Sequence, residues 1–379
     1  MGNTNKGKKS KEKEKEKEKE KEKENKNKNK TSDNKNEENK NKEVEEIKKI
    51  IEQPKDNKIK LKLINKQAHS TKDDKIEEVF TIPDLPNTTI IIGCRGGDIK
   101  EVSKVSTFHE CHDFSNILTL YSFSKRLYSL ILLNKNNKLC AGLENEIVIL
   151  QLKLDGQHKL VKEKQYTLVD EGPIHTLLEL KNENILSAGK NIILWKKNVS
   201  DYEKVKTISI GNFRIINLVE FPHYNTIIAT QENTHMLYLL KNNGNSIDLI
   251  GNIENVPSIW YKGSAKKLSK NAMLLVGKFE LNAIDAQNGQ VISRYTGIDK
   301  GTLLKIKMKE KENDFWIVSD YYGRYFEFYE QEDNDLIFYD KIELDENDFY
   351  KWGHNLVKIN DETFAATNHY GYIFVYQII

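Results

Sequence analysis

One pattern recurs seven times in this chain and constrains its fold more than any other feature. It is an apolar strand ending in a small residue, a short polar turn, and a second apolar strand. The copies read TTIIIGCRGGDIKEV, NKLCAGLENEIVILQL, ENILSAGKNIILWKK, NTIIATQENTHMLYLL, AMLLVGKFELNAIDAQNG, DFWIVSDYYGRYFEFYE and ETFAATNHYGYIFVYQI. Aligned on Gly93, Gly142, Gly189, Thr230, Gly277, Ser319 and Thr367, they step by 49, 47, 41, 47, 42 and 48 residues. A period near 46 residues is the length of one four-stranded propeller blade.

Two further strands belong to each unit. Runs such as RLYSLILLN, PIHTLLELK, RIINLVEFP, TLLKIKMKE and HNLVKIND stand ahead of the hairpins as first strands. LVKEKQYTLV, YEKVKTISIG, SIDLIGNIEN, VISRYTGIDK and LIFYDKIELD follow as outermost strands. The inner runs are continuously apolar, as strands sandwiched between neighbouring blades must be, whereas the outer ones alternate with polar residues, as befits an edge facing water. Small residues are expected near the axis.

The chain ends at YIFVYQII, a third strand, so the seventh unit lacks an outer strand. KIKLKLINK at 58–66 supplies a spare one, with Ile59, Leu61 and Leu63 alternating on one face. Pairing it with the last unit would close the ring and leave no open blade edge. The expectation is an all-β fold over 58–379: a seven-bladed propeller of four-stranded antiparallel blades, closed by an N-terminal strand. Six blades, eight blades and an open solenoid are the alternatives.

Apolar residues are scarce only at the front, where the first 57 residues contain just Met1, Val44, Ile47, Ile50 and Ile51. Residues 1–42 hold sixteen Lys and ten Asp or Glu in Lys/Glu and Lys/Asn alternation, a low-complexity tail with nothing to bury and therefore expected to be disordered. Residues 43–57 read as a linker or short helix, with Val44, Ile47 and Ile51 on one face before Pro54. Gly2 follows Met1 as a myristoyl acceptor would, but Lys6 occupies the position where Ser or Thr is preferred, so a lipid anchor at Gly2 is weakly supported.

The whole chain carries a formal charge of +2 and the tail supplies +6, leaving the remainder near −4. With no Lys/Arg cluster beyond the tail, the sequence shows no electrostatic footprint for nucleic acid. No apolar run approaches the length of a membrane span, so no stable membrane insertion is expected. Cys94, Cys111 and Cys140 lack paired spacing, which argues against a disulfide framework and for a reducing, cytoplasmic setting.

At these repeats the chain resembles the WD40-repeat propellers over about 58–379. NIILWKK places Trp195 where that family's Trp-Asp dipeptide falls, with Lys196 in place of Asp, and LNAIDAQNGQVISRY resembles its third strand, turn and outer strand. The family's Gly-His dipeptide is missing. The resemblance therefore implies that the His–Ser/Thr–Asp–Trp hydrogen-bond network is mostly lost and that the blades rest on packing alone.

Chemistry-bearing motifs are few. His109-Glu110-Cys111-His112-Asp113 is the one dense set of ligand-type residues, but it lacks a second pair at zinc-site spacing and reads as a loop. Cys94-Arg95-Gly96-Gly97-Asp98 fits a hairpin turn and no phosphate loop. Asp320 with Glu327, and Asp345 with Glu346, read as solvated surface carboxylates. No catalytic residue, metal or cofactor is assigned.

What remains is the set of loops joining second and third strands, which gather with the blade-to-blade connections on one face. They carry Arg95, Glu144, Lys190, Glu232, His235, Phe279, Tyr321, Tyr322, Arg324, His369 and Tyr370. Aromatic and Arg side chains on a rigid rim are the anchors that protein interfaces favour. The expected partner is one or more proteins or peptides, centred on the adjacent Tyr321–Arg324 and His369–Tyr370 loops. A propeller enzyme with a site in the axial channel, or a structural subunit of a large assembly, are the competing readings.

Overall fold

The computed structural model describes residues 59–68, 75–82, 89–103, 116–133, 137–154, 158–168, 172–199, 201–211, 213–259, 262–296, 300–308, 311–344, 353–368 and 370–379. The charged tail 1–42, the 43–57 segment, Gly2, the 109–113 motif with Cys111, Asp345, Glu346 and His369 lie outside them.

Among the described residues there are 28 strands and no helix, in seven four-stranded antiparallel sheets. The chain opens with β1 (Leu61–Ala68). Blade 1 is β2 (Ile76–Phe80), β3 (Thr89–Cys94), β4 (Asp98–Ser103) and β5 (Asn116–Ser122); blade 2 is β6 (Ser129–Leu133), β7 (Lys138–Gly142), β8 (Glu146–Lys153) and β9 (Lys159–Thr167). Blade 3 is β10 (Thr176–Glu179), β11 (Ile185–Ala188), β12 (Asn191–Lys197) and β13 (Tyr202–Ser209); blade 4 is β14 (Ile215–Phe221), β15 (Thr226–Gln231), β16 (Leu237–Asn242) and β17 (Ile247–Ile253). Blade 5 is β18 (Ala265–Lys267), β19 (Ala272–Gly277), β20 (Glu280–Asp285) and β21 (Val291–Thr296); blade 6 is β22 (Lys300–Lys307), β23 (Asp314–Asp320), β24 (Tyr325–Glu332) and β25 (Asp335–Glu343). Blade 7 joins β26 (Gly353–Asn360), β27 (Thr363–Asn368) and β28 (Tyr372–Ile378) to β1 as its outer strand.

First strands of successive blades touch in an unbroken cycle, β2 to β6 and onward through β26 back to β2. This is a closed seven-bladed β-propeller. Seven blades, not six or eight, are what the repeats predict.

Seven hydrophobic clusters fill the seven joints between blades, because a buried strand sends alternate side chains to opposite sides. On β11, Leu186 and Ala188 pack toward blade 4 while Ile185 packs toward blade 2. On β3, Ile91 faces blade 2 and Ile90, Ile92 and Cys94 face blade 7. Cys94 and Cys140 are buried. Toward the rim the pattern relaxes: β9 (KLVKEKQYT) is mostly exposed and charged, which blocks pairing with a further strand.

The closing strand behaves as its alternation predicts. It pairs antiparallel with β28, and the ladder runs on to Ile379 N–H donating to Lys60 O at 2.9 Å. Ile59, Leu61 and Leu63 pack in the joint between blades 6 and 7, and Ile64 on the other side packs between blades 7 and 1. A bulge falls between Leu63 and Asn65. Every outermost pairing carries such a register shift, and bulges increase local twist, which lets each blade turn from the axis to the rim.

In blades 3 and 5 the small residue has a more specific cause than nearness to the axis: the connector that enters the blade crosses directly over it. A Cβ on Gly277 would sit 2.7 Å from the Ser258 carbonyl oxygen, and one on Gly189 would overlap the Pro173 carbonyl. Blades 4 and 6 place a hydroxyl there instead. Thr230 Oγ1 accepts from Asn217 Nδ2 at 2.8 Å, and Ser319 Oγ accepts from Thr302 N at 2.9 Å.

The blades do not rest on packing alone, contrary to what the degenerate motifs imply. Trp195 Nε1 donates to Ser187 Oγ at 2.9 Å inside blade 3. Asn217 Nδ2 also donates to Ser264 Oγ at 3.1 Å, and Gly263 N donates to Asn217 Oδ1 at 2.8 Å, tying blade 4 to blade 5. Ser129 Oγ donates to Ile174 O at 2.8 Å between blades 2 and 3, and Asn355 Nδ2 to Glu77 O at 3.0 Å between blades 7 and 1. Buried polar groups need such partners, and these use Asn and Ser where the repeats lack the family's residues.

Candidate docking face

Turns between second and third strands lie beside the blade-to-blade connectors, as expected of one shared face. Phe123 N donates to Gly97 O, Ile174 N to Leu143 O, Ile215 N to Gly189 O and Lys278 N to Ser258 O, each within 3.0 Å. Three consecutive blades, 6, 7 and 1, build these turns alike. Asp320-Tyr321-Tyr322-Gly323, Asn368 to Gly371 and Cys94-Arg95-Gly96-Gly97 each end on a glycine with positive φ, whose N–H returns to the first residue's carbonyl. The first side chain adds to the grip where it can: Asn368 Oδ1 accepts from Tyr370 N at 3.0 Å and Tyr372 N at 2.9 Å.

These turns project Tyr322 and Tyr370, 41% and 40% exposed. Tyr321 stands beside Tyr322, ring centroids 5.1 Å apart, and the Arg324 guanidinium lies 4.9 Å from the Tyr322 ring. Arg324 Nε also donates to Asp320 Oδ2 at 2.8 Å. Asp320 is fully buried, and Glu327 is nearly so, accepting from Tyr329 Oη at 2.7 Å, so this pair is not the solvated pair that the sequence suggests. Both were misread because charged residues are common in this chain and burial of a carboxylate leaves no local signature.

In blade 5 the turn holds Phe279, 52% exposed, at φ +66°. A bulky residue in the left-handed region is strained, and strain of this kind concentrates at functional positions. Lys278 Nζ lies 5.1 Å from its ring centroid. His235 is exposed, its Nδ1 2.8 Å from Val256 O. Glu144 and Lys190 are exposed at the turns of blades 2 and 3, and Glu232 pairs with Arg214 at 3.4 Å. Phe213, 55% exposed in the connector entering blade 4, belongs to the same face and was missed because connectors carry no repeat signature.

Sequence reasoning also missed a charged cluster at the mouth of the axis. Its members sit in or just before first strands: Lys75, Glu77 and Glu78 in blade 1, His175 in blade 3, Arg214 in blade 4, Lys262 and Lys266 in blade 5. Arg95 joins them from its turn, bonded through Nε to Glu77. Lys262 reaches across the axis, donating to the Tyr128 carbonyl of blade 2 and lying 3.8 Å from Glu77 and 3.6 Å from Glu78. Burial pushes the Glu78 carboxyl up to about 7 against the pull of Lys262. Burial, then Lys262, Arg214 and Arg95, push the His175 imidazole down to about 3. The expectation of no Lys/Arg cluster holds along the sequence and fails in space. Laying the repeats over one another just before each first strand is the signal that would have found Lys75, His175, Arg214 and Lys262.

Among the described residues no group of three His, Cys, Asp or Glu side chains gathers to hold a metal ion, and no helix is long and apolar enough to cross a membrane.

No protein-family model matches the chain, and no curated protein matches it in sequence. Among solved structures it is similar to a chain of the crystal structure of a mitotic checkpoint complex, with a TM-score of 0.62 and 10% identity over 86% of this chain and 94% of that one. The match is to the fold. Since 1044 solved chains match, the likeness identifies a widely used architecture rather than one protein.

Proposed function

We propose that the chain is a WD40-like, non-catalytic scaffold of the cytoplasm that docks a protein or peptide segment on the face formed by its second-to-third-strand turns. The observation that carries this reading is the set of exposed aromatics on one face, Phe279, Tyr322 and Tyr370 on turns and Phe213 on the connector entering blade 4. Rigid aromatics bury large areas at low entropic cost and serve as interface anchors. Similarity in fold to a chain of a multi-protein complex is in keeping with a scaffold. Axial-channel chemistry is the competing reading, and Glu78 is the residue it would use. The ion pairs to Lys262 account for that cluster without a reaction.

The test is affinity capture from native extract with the full chain and with a Phe279→Ala/Tyr322→Ala/Tyr370→Ala variant of equal thermal stability. Partners that wild type retains and the variant loses support the reading; identical partner sets reject it. Arg324 is left intact, because its removal would take the guanidinium ion pair from the buried Asp320 carboxylate and confound binding with stability.

A further inference from the structure

Residues 58–379 carry a formal net charge of −2, yet the mouth of the axis is cationic. Among the described residues, Lys75, Arg95, Arg214, Lys262 and Lys266 converge there against Glu77, Glu78 and Glu232, five cations facing three carboxylates. They come from blades 1, 4 and 5, and Tyr128 of blade 2 with His175 of blade 3, rings 5.3 Å apart, stands between them. Low-dielectric walls focus such a field, and a local reversal of sign in an otherwise acidic body gives an anionic group one favoured destination.

His175 reports that field from within. It lies in blade 3, and burial first, then the cations Lys262, Arg214 and Arg95 of blades 5, 4 and 1, disfavour its protonation. Glu78, held partly protonated near neutral pH, offsets less of that charge than a normal carboxylate would. On the same face, over blades 4 to 7, stand the exposed aromatics already described.

We propose that this mouth receives the carboxylate of an acidic residue in the docked segment, with Arg214 at the rim and Lys262 across the axis as the receiving cations, while those aromatics hold the flanking apolar residues. The partner is thus an acidic peptide stretch bearing apolar or aromatic neighbours. A nucleic acid or anionic membrane would call for cations spread across the face, whereas here they converge at the axis, with the aromatics on the turns and connector over blades 4 to 7. This inference rests on the docking reading above and adds the chemistry of the occupant.

The test uses the full chain and three fluorescein-labelled pools of nine-residue peptides with Glu, Gln or Lys fixed at the centre and other positions randomised, read by fluorescence polarisation. Poly(U) RNA and phosphatidylserine vesicles are the comparison arms. The expected result is binding of the Glu pool at least about tenfold tighter than the Gln pool, weakening with salt and weakened about tenfold by Arg214→Gln/Lys262→Gln. Should the double variant fold poorly, the exposed Arg214→Gln alone serves, with an expected loss of about threefold. Equal or stronger binding of the Gln or Lys pool, lost in the aromatic triple variant, overturns the acidic occupant and leaves the docking reading standing. Glu-pool binding that both charge variants retain overturns the assignment to the mouth. Binding only RNA or vesicles, or no pool at all, overturns both.

Discussion

Blades 3 and 7 share one plan and are assembled from the chain in opposite ways. Blade 3 takes its strands from a single uninterrupted run, Thr176–Ser209, and its Trp195–Ser187 hydrogen bond is internal. Blade 7 takes three strands from one end of the chain and its outer strand, β1, from the other. Closing that span costs roughly 4 kcal/mol more loop entropy than a three-residue hairpin. The joint it completes is built to offset this. Where blade 3 packs Ile185, Ile193, Leu186 and Leu194 into its joints, the joint between blades 6 and 7 is filled with Phe315, Phe326, Phe364, Phe374 and Tyr376. Phe326 stands edge-on to Phe364 and Tyr376, both at 5.2 Å, and Phe364 stacks on Tyr376 at 5.4 Å. A closed ring is only as secure as the seam joining its two ends, and aromatic burial is concentrated there.

The most forceful way to break the comparison is to remove β1. A chain lacking residues 1–68 is expected to lose on the order of 5 kcal/mol or more relative to one lacking 1–57, with a lower and broader thermal transition, since Ile59, Leu61, Leu63 and Ile64 and a whole ladder go with it. Equal melting of the two truncations would mean that the seam contributes nothing. Next, Phe364→Ala should cost about 4 kcal/mol and Ile193→Val in blade 3 about 1 kcal/mol by urea unfolding. A reversal would show that the aromatics are not what secures the seam.

The small-residue slot sharpens the contrast further. Gly189→Ala in blade 3 is expected to cost about 2–3 kcal/mol, because the new methyl meets the Pro173 carbonyl and must displace the connector. In blade 7 the same slot holds Thr367, whose buried hydroxyl has no hydrogen-bond partner among the described residues, so Thr367→Val should be close to neutral or slightly stabilising.

Acid and alkali should separate the two regions as well. His175, entering blade 3, titrates at about 3 in the folded chain against a usual 6.5, so the stability it supports is present above pH 6.5 and is lost as pH falls toward 3. Glu78, in blade 1 beside the seam, titrates at about 7 against a usual 4.5, so its contribution is present below pH 4.5 and is lost as pH rises to 7, by up to about 3 kcal/mol. His175→Gln should flatten the acidic limb of the melting-temperature profile, and Glu78→Gln should raise stability near pH 8 relative to wild type. Parallel profiles for all three proteins would remove both assignments.

Much of this was legible in the residues. Continuous apolar runs such as Thr89–Cys94 and Ile185–Ala188 are what two-sided burial demands, and the Ile59–Leu61–Leu63 alternation announces a strand with one buried face. The positions of Tyr322, Phe279 and Tyr370 on turns followed from the repeats. The carboxylates at 320 and 327 were misread, because their burial depends on Arg324 and Tyr329 folding over them.

By itself, then, the order of residues determined the number of blades, the strands within them and the strand that seals the ring, because period, alternation and turn chemistry are local properties of a chain. Only the tertiary structure decided where the bulges fall, which hydroxyls replace the missing motif, and that Lys75, Arg95, Arg214 and Lys262 meet at one opening. Those are distances between residues far apart in sequence, and the radial stacking of blades creates them.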